Sequence, residues 1–456
     1  MSHRPSLFSL LTSLCLLMAC TGAPVVTPTV APTTAPTATE LVATETVMPS
    51  PVPPTETASL VPPTDTPTIP APTLTPAPLE QLAFIARTST LEWRLSIFMT
   101  YLPDEVIQLI NFVKSDGSDL ETPTIKHNQD VIPPLKISAD GRKLGFSTFY
   151  IGPEVDQGDV VMRKNRYITD LPTTSSVVEP HSPAETKPSG DFAWGANSEQ
   201  VALTWEHDDN NLQSVFVWHL DTRQATSVTQ NSVGGKLYKD LYPSWSPDGK
   251  YIAFVRWEYS GKGASFPMSR AGTHHGVLYL VRPDGSELHP LVDPVYIETA
   301  DVGEESDHYR WVTQLAWSPD SQWIAYLVGA TTSDISIINI ETGETRLLTN
   351  DPARDLSPSW SPDGSLLVFF SKRDGDEEIY VITIDGKLLI NLTQHSSNDF
   401  MPVWSPSGQR IAFLSNRDSV ANKNSGGYQL FVMNADGSNV IRVSSDYVFD
   451  PPIWIP

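Results

Sequence analysis

The chain has 456 residues, with 53 acidic against 30 basic side chains and a formal charge of −23 at neutral pH. Phosphate backbones and anionic lipid surfaces are held by clustered Lys and Arg, so this balance argues against a nucleic-acid partner or a direct lipid-binding surface. The only cysteines, Cys15 and Cys20, exclude a disulfide framework, a thiolate metal site and a cysteine nucleophile.

His3 and Arg4 precede an apolar run over 7–18, too short to remain as a spanning helix but suited to a cleaved export signal over 1–19. Leu17-Met18-Ala19-Cys20 resembles the end of a bacterial lipoprotein signal, which implies that Cys20 is lipidated and becomes the first mature residue. Residues 20–78 carry that cysteine and then mostly Pro, Thr, Ala, Val and Glu with no periodic apolar face. Such a segment cannot bury enough to fold, so it reads as a disordered Pro/Thr-rich stalk with a reach on the order of 150 Å.

From 79 to 456 a repeat takes over. Trp245-Ser-Pro-Asp-Gly249 and Trp360-Ser-Pro-Asp-Gly364 are joined by the worn copies Trp317-Ser-Pro-Asp-Ser321 and Trp404-Ser-Pro-Ser-Gly408. Trp317, Trp360 and Trp404 stand 43 and 44 residues apart, the period of a four-stranded propeller blade. Ser-Pro-Asp-Gly is tight-turn chemistry, and the apolar runs after it, such as Ile252-Ala-Phe-Val255 and Ile411-Ala-Phe-Leu414, predict strands buried on both faces. A third strand follows, then a hairpin turn at Asp284-Gly285, Asp385-Gly386 or Asp436-Gly437. Fourth strands end in Leu348-Thr349, Leu392-Thr393 or Val443-Ser444, after which Asp-x-x-Pro-x-Trp opens the next unit.

Fainter copies around 137–146 and 192–203 bring the complete units to six. The two ends complement one another: Leu82-Ala-Phe-Ile85 is a second strand without a first, and Ile453-Trp454-Ile455 a first strand without a second. The expected fold is therefore all-β, a seven-bladed β-propeller closed by pairing of its N- and C-terminal strands, with six blades as the alternative.

Long segments at 90–106, 151–165, 257–275, 293–310 and 416–427 are expected as loops on one face, where second strands turn into third and fourth strands exit. Trp93, Tyr101, Trp257, Tyr259, His274, His275, Tyr296, His308 and Tyr309 make that face a candidate ligand-binding surface. Aromatic residues among acids suit protein or glycan partners, although such residues also serve to pack a loop on its scaffold. Asp240, Asp355 and Asp399 open their units and are candidates for a channel mouth, where their oxygens could hold calcium or simply bond local backbone. No spaced metal motif occurs, and adjacent histidines do not easily point at one ion, so no metal site or other cofactor is assigned.

The Trp-Ser-Pro-Asp-Gly, Ile-Ala-Phe, Ile379-Tyr-Val381 and Asp-Gly elements resemble the repeats of TolB, and of the propellers that precede the hydrolase domain of prolyl oligopeptidases and dipeptidyl peptidases. The resemblance covers essentially all of 79–456. It implies the propeller fold and functions ranging over scaffolds, peptidase gates and sugar-acid lyases. TolB proteins place a small α/β domain before a six-bladed ring, where this chain has a stalk and seven units. No Gly-x-Ser-x-Gly elbow is present. The expected function is a monomeric, lipid-anchored, extracytoplasmic module that binds envelope protein or cell-wall glycan. The alternatives are a carbohydrate-active lyase or hydrolase and a peptide-gating partner of a separate hydrolase.

Overall fold

Each Ser-Pro-Asp-Gly segment closes a hairpin through its own side chains. Ser246 donates its hydroxyl to Asp248 at 2.7 Å, Asp248 accepts the Lys250 amide at 3.1 Å, and the Gly249 amide returns to the Ser246 carbonyl at 2.9 Å. Gly249 and Gly364 sit at φ of 76° and 72°, a region that glycine enters without steric cost. In the worn copy Ser321 takes the same left-handed position at φ 61°, and its hydroxyl accepts the Asp248 amide of the preceding unit at 3.0 Å. The replacement of glycine therefore comes with a bond between units.

The computed structural model of the chain describes residues 80–87, 109–116, 118, 130–156, 159–171, 177–178, 186–207, 212–259, 273–298, 315–329, 333–418, 428–444, 447–448 and 451–456. These all belong to the second of two compact units, Thr66–Pro456. The export signal, Cys20 and all of the stalk segment lie outside the described residues. Regular structure among the described residues is entirely β, and among them no helix is long and apolar enough to cross a membrane.

Among the described residues the strands form five four-stranded sheets and one of nine strands. The plan is clearest in Asp355–Trp360, Leu366–Ser371, Glu378–Thr383 and Leu389–Asn391, which pair antiparallel in chain order. Leu315–Leu347 and Asp399–Arg442 repeat it, as does the sheet from Asp130 to Val178. The nine-stranded sheet contains two such runs, from Thr186 to Ser227 and from Lys236 to Glu298, joined by the single parallel pair Lys239 and Gln213.

Second and third strands are buried on both faces, as the continuous apolar runs predict. Phe254, Phe369 and Phe413 are wholly inaccessible, each removing apolar surface worth about 1.5–3 kcal/mol. The tryptophan ending a first strand ties its sheet to the one before. Trp317 donates its indole N–H to the Ser244 carbonyl at 3.0 Å, Trp360 to Ala316 at 2.9 Å, and Trp454 to Val403 at 3.1 Å. Trp245 instead bonds the Gly249 carbonyl of its own turn.

The chain ends meet in one sheet. Gln81–Arg87 lies between Leu109–Lys114 and Ile453–Ile455, with Leu82 opposite Trp454. Tyr447–Val448 pairs with the far end of the same strand. Arg410 donates to the Ser115 hydroxyl at 2.6 Å, and the Ser407 amide to the Glu80 carboxylate at 2.9 Å, linking this sheet to the Asp399–Arg442 sheet.

One expected loop proves to be an extended hairpin, and strands run into two others. Lys143–Asp156 pairs with Asp159–Asp170 through most of 151–165, and the strands Ile252–Tyr259 and Thr273–Val281 run into both ends of 257–275. His289–Glu298 likewise continues into 293–310. Once a hairpin is in register, backbone hydrogen bonds carry it through residues that lack an apolar pattern.

Candidate binding face and the ionic junctions beneath it

Asp240, Asp355 and Asp399 occupy their expected first strands, and none has exposed surface. The cation that each faces is a guanidinium. Arg256 holds Asp240 through two bonds of 2.7 Å, while Arg373 reaches Asp355 and Arg417 reaches Asp399 at 2.6 Å. The arginines are themselves packed between rings: Arg373 over Phe369 and Tyr380, Arg417 over Phe413 and Phe431. Burial pushes all three carboxyls above the ordinary value of 3.8, against the pull of their arginines. Burial also opposes the Arg256 charge, but the bond and charge of Asp240 outweigh it and hold the guanidinium above its usual value.

The Leu-Thr signature completes the junction. Thr229 accepts the Val215 amide at 2.9 Å and donates its hydroxyl to Asp240 at 2.5 Å, joining the exit of one unit to the entry of the next. Thr349, Thr393 and Ser444 accept the amides of Ile335, Ile379 and Leu430 in the same way. Two residues after each aspartate the backbone turns left-handed, at Tyr242, Ser357 and Met401, with φ of 53–55°. A register shift follows at each site, between Leu241 and Ser244, Leu356 and Ser359, and Phe400 and Val403. A non-glycine residue held there stores strain that the surrounding bonds must contain. The arginines escaped the sequence reading, yet the offset of 18 residues from Asp355 to Arg373 and from Asp399 to Arg417 was a usable signal.

Of the candidate face residues, Trp93, Tyr101, His308 and Tyr309 lie outside the described residues. The others stand on three neighbouring strands of the nine-stranded sheet. Trp257 is opposite Lys239, Tyr259 opposite Leu237, His274 opposite Ile297 and His275 opposite Tyr296. Trp257 is half-buried and its indole lies over Gly276, where a Cβ would meet Nε1 at 2.1 Å. Gly276 therefore makes room for Trp257. Among the described residues no three His, Cys, Asp or Glu side chains come together as a metal-binding set.

A cleft not singled out in the sequence opens on the same end of the units. It lies between the 351–354 connection and the 372–377 turn, with a volume of about 690 Å³, and is lined by Asp351, Arg354, Leu356, Phe370, Lys372, Arg373 and Glu377 among others. The turn is held by Tyr380, whose hydroxyl donates to Asp374 at 2.6 Å. Burial and the Asp374 bond push the Tyr380 phenol far above its ordinary value, so it stays a donor at any physiological pH.

The TolB beta propeller domain family matches residues 308–454. An uncharacterized protein of Agrobacterium fabrum is 26% identical over 199 residues, which cover 38% of this chain and 63% of that protein. The Tol-Pal system protein TolB of Bordetella pertussis is 30% identical over 147 residues, 32% of this chain and 27% of TolB. The chain thus spans less than two thirds of the length of these curated relatives. Among solved structures, an oligogalacturonate lyase of Vibrio parahaemolyticus superposes with a TM-score of 0.50 at 13% identity, covering 73% of this chain and 84% of that one. A likeness at that identity is one of fold.

Proposed function

Because the chain is a TolB-like β-propeller repeat protein, we propose that it is a tethered binding module of the bacterial envelope, recognising protein or cell-wall glycan through one face of a seven-bladed ring. Counting the two runs of the nine-stranded sheet separately gives seven units, and the pairing of Gln81–Arg87 with Ile453–Ile455 supports closure at the first. Cys20 carries a lipid, residues 20–78 form the stalk, and the ring faces away from the membrane as a monomer.

The observation that carries this reading is the asymmetry of the two ends of each unit. Turns between first and second strands bond to themselves and to neighbouring units. The opposite end bears the 14- and 12-residue hairpin strands Lys143–Asp156 and Asp159–Asp170, the Trp257 hairpin and the cleft. A rigid scaffold with one elaborated end is how repeat rings present a binding surface.

The test is capture from solubilised envelope and cell-wall fragments by the full chain, compared with a variant shortened across 260–272. A ligand retained by the full chain and lost with the segment supports the reading. Equal retention removes the Trp257 hairpin from the site, and turnover of uronic-acid oligosaccharides by the same preparation replaces the scaffold reading with an enzymatic one.

A further inference from the structure

The junctions at Asp240 and Asp399 are built on one plan, and at the second of them two carboxylates compete for one hydroxyl. At Asp240 the plan is complete. The Thr229 hydroxyl accepts the Val215 amide and gives its single proton to Asp240, while Arg256 bonds both oxygens of that carboxylate. At Asp399 the Thr393 hydroxyl accepts the Ile379 amide in the same way, but its proton goes to Glu378 at 3.0 Å. Arg417 reaches Oδ2 of Asp399, and Oδ1 stays buried with no hydrogen-bond partner among the described residues. We propose that this junction is a proton switch, in which a proton taken up by Glu378 turns the Thr393 hydroxyl from Glu378 to Asp399.

The exchange balances atom by atom. Ionised Glu378 accepts twice, from the Thr393 hydroxyl through Oε2 and from the His395 amide at 2.8 Å through Oε1. Protonated at Oε2, it donates to Thr393 Oγ1 and keeps the His395 amide on Oε1. Oγ1 then accepts from Glu378 and from the Ile379 amide, filling the two lone pairs of a hydroxyl, and its own proton passes to Asp399 Oδ1. One proton enters, no bond is lost, and Asp399 gains the bond that Thr229 already gives Asp240.

Two carboxylates and one guanidinium meet at this junction, with Asp399 wholly buried and Glu378 6% exposed. Burial pushes Glu378 above 4.5. The His395 amide and Thr393 pull against it, and the charges of Asp399 and Asp376 push it further. Burial also raises Asp399, opposed by the Arg417 charge and by the hydroxyls of Ser415 and Thr393, so Thr393 already stands within reach of both acids. A carboxyl raised in this way favours the fold below 4.5 and loses its contribution as pH rises through the raised value. The junction is therefore fully bonded in acid and one bond short once Glu378 ionises. Above it lies the exposed connection Gln394, His395 and Ser396, and the switch acts on that connection whatever this end of the ring binds.

Glu378→Gln imitates the protonated acid permanently, since its amide oxygen accepts from His395 and its nitrogen donates to Thr393. The next sheet already carries Gln429 at the same place, one residue before an amide held by Ser444. In calorimetry of the full chain, Glu378→Gln should melt about 2–4 °C above the parent at about pH 8 and level with it at about pH 5, the effect of one hydrogen bond. Thr393→Val, which has no proton to pass on, should abolish that difference, and Thr393→Ser should keep it. No advantage at the higher pH, an equal advantage at both, or an advantage that survives Thr393→Val each overturns the proposal. Thr393→Val by itself should narrow the fall in melting temperature between the two pH values. An unchanged fall overturns the switch even where the glutamine variant does not fold.

Discussion

At Asp399 a carboxylate without exposed surface meets Arg417, and the guanidinium is itself clasped by Phe413 and Phe431. Arg417→Met should leave that charge buried and unpaired, at a cost of about 3–5 kcal/mol in urea denaturation. The double variant Arg417→Met with Asp399→Asn should recover much of the loss, and a double variant no better than the single would show that the pair is not what holds the junction. The turn aspartates act in the opposite sense with pH. The Ser361 hydroxyl, opposed by burial and helped by Ser365, holds Asp363 below 3.8. Stability from Asp363 is therefore present above that value and lost as pH falls through the lower folded one. Asp240, Asp355 and Asp399, raised by burial, bind protons more readily when folded, so their contribution favours the fold below 3.8 and fades as pH rises through the raised values. Asp363→Asn should accordingly flatten the fall in melting temperature on acidification from about pH 4 to 2, while Asp355→Asn should not.

Between elements, the indole bond that Trp317, Trp360 and Trp454 send from a first strand to the sheet before it is a discrete link. Trp360→Phe keeps the ring, leaves the Ala316 carbonyl without its donor, and should cost about 1–3 kcal/mol. Deleting 453–456 removes the strand on one side of Gln81–Arg87 and the Trp454 bond to Val403. Amide exchange should then rise in Gln81–Arg87 and Asp399–Trp404, with Leu366–Ser371 unchanged. The strands, the turns and the complementary ends were all legible in the sequence, because Pro, Asp and Gly at fixed positions and continuous apolar runs leave few alternatives. The ion pairs were legible only in part, because the offset of 18 residues recurs from Asp355 to Arg373 and from Asp399 to Arg417, whereas Arg256 follows its aspartate by 16. The long hairpin escaped for another reason: Gly152-Pro153 and Gln157-Gly158 read as turn chemistry that interrupts the apolar residues, and backbone pairing has no signature of its own. The cleft is made by two short segments, the connection that leads into Asp355–Trp360 and the turn between Leu366–Ser371 and Glu378–Thr383, and neither carries an insertion to mark it in the sequence.

For the molecule as a whole, the proposed anchor makes a direct prediction. Cys20→Ala should move the protein from the membrane fraction to the soluble exported fraction without altering its melting temperature, as read by fractionation and calorimetry. Where the chain enters the fold has a mechanical consequence. A pull on the residues before Glu80 is delivered to a strand flanked on both sides, by six pairs to Leu109–Lys114 and three to Ile453–Ile455. Force along that strand meets both rows of hydrogen bonds together, so the entry point is clamped from both sides. A protein tethered there and gripped at its far face can bear tension between the two without first shedding its terminal strand.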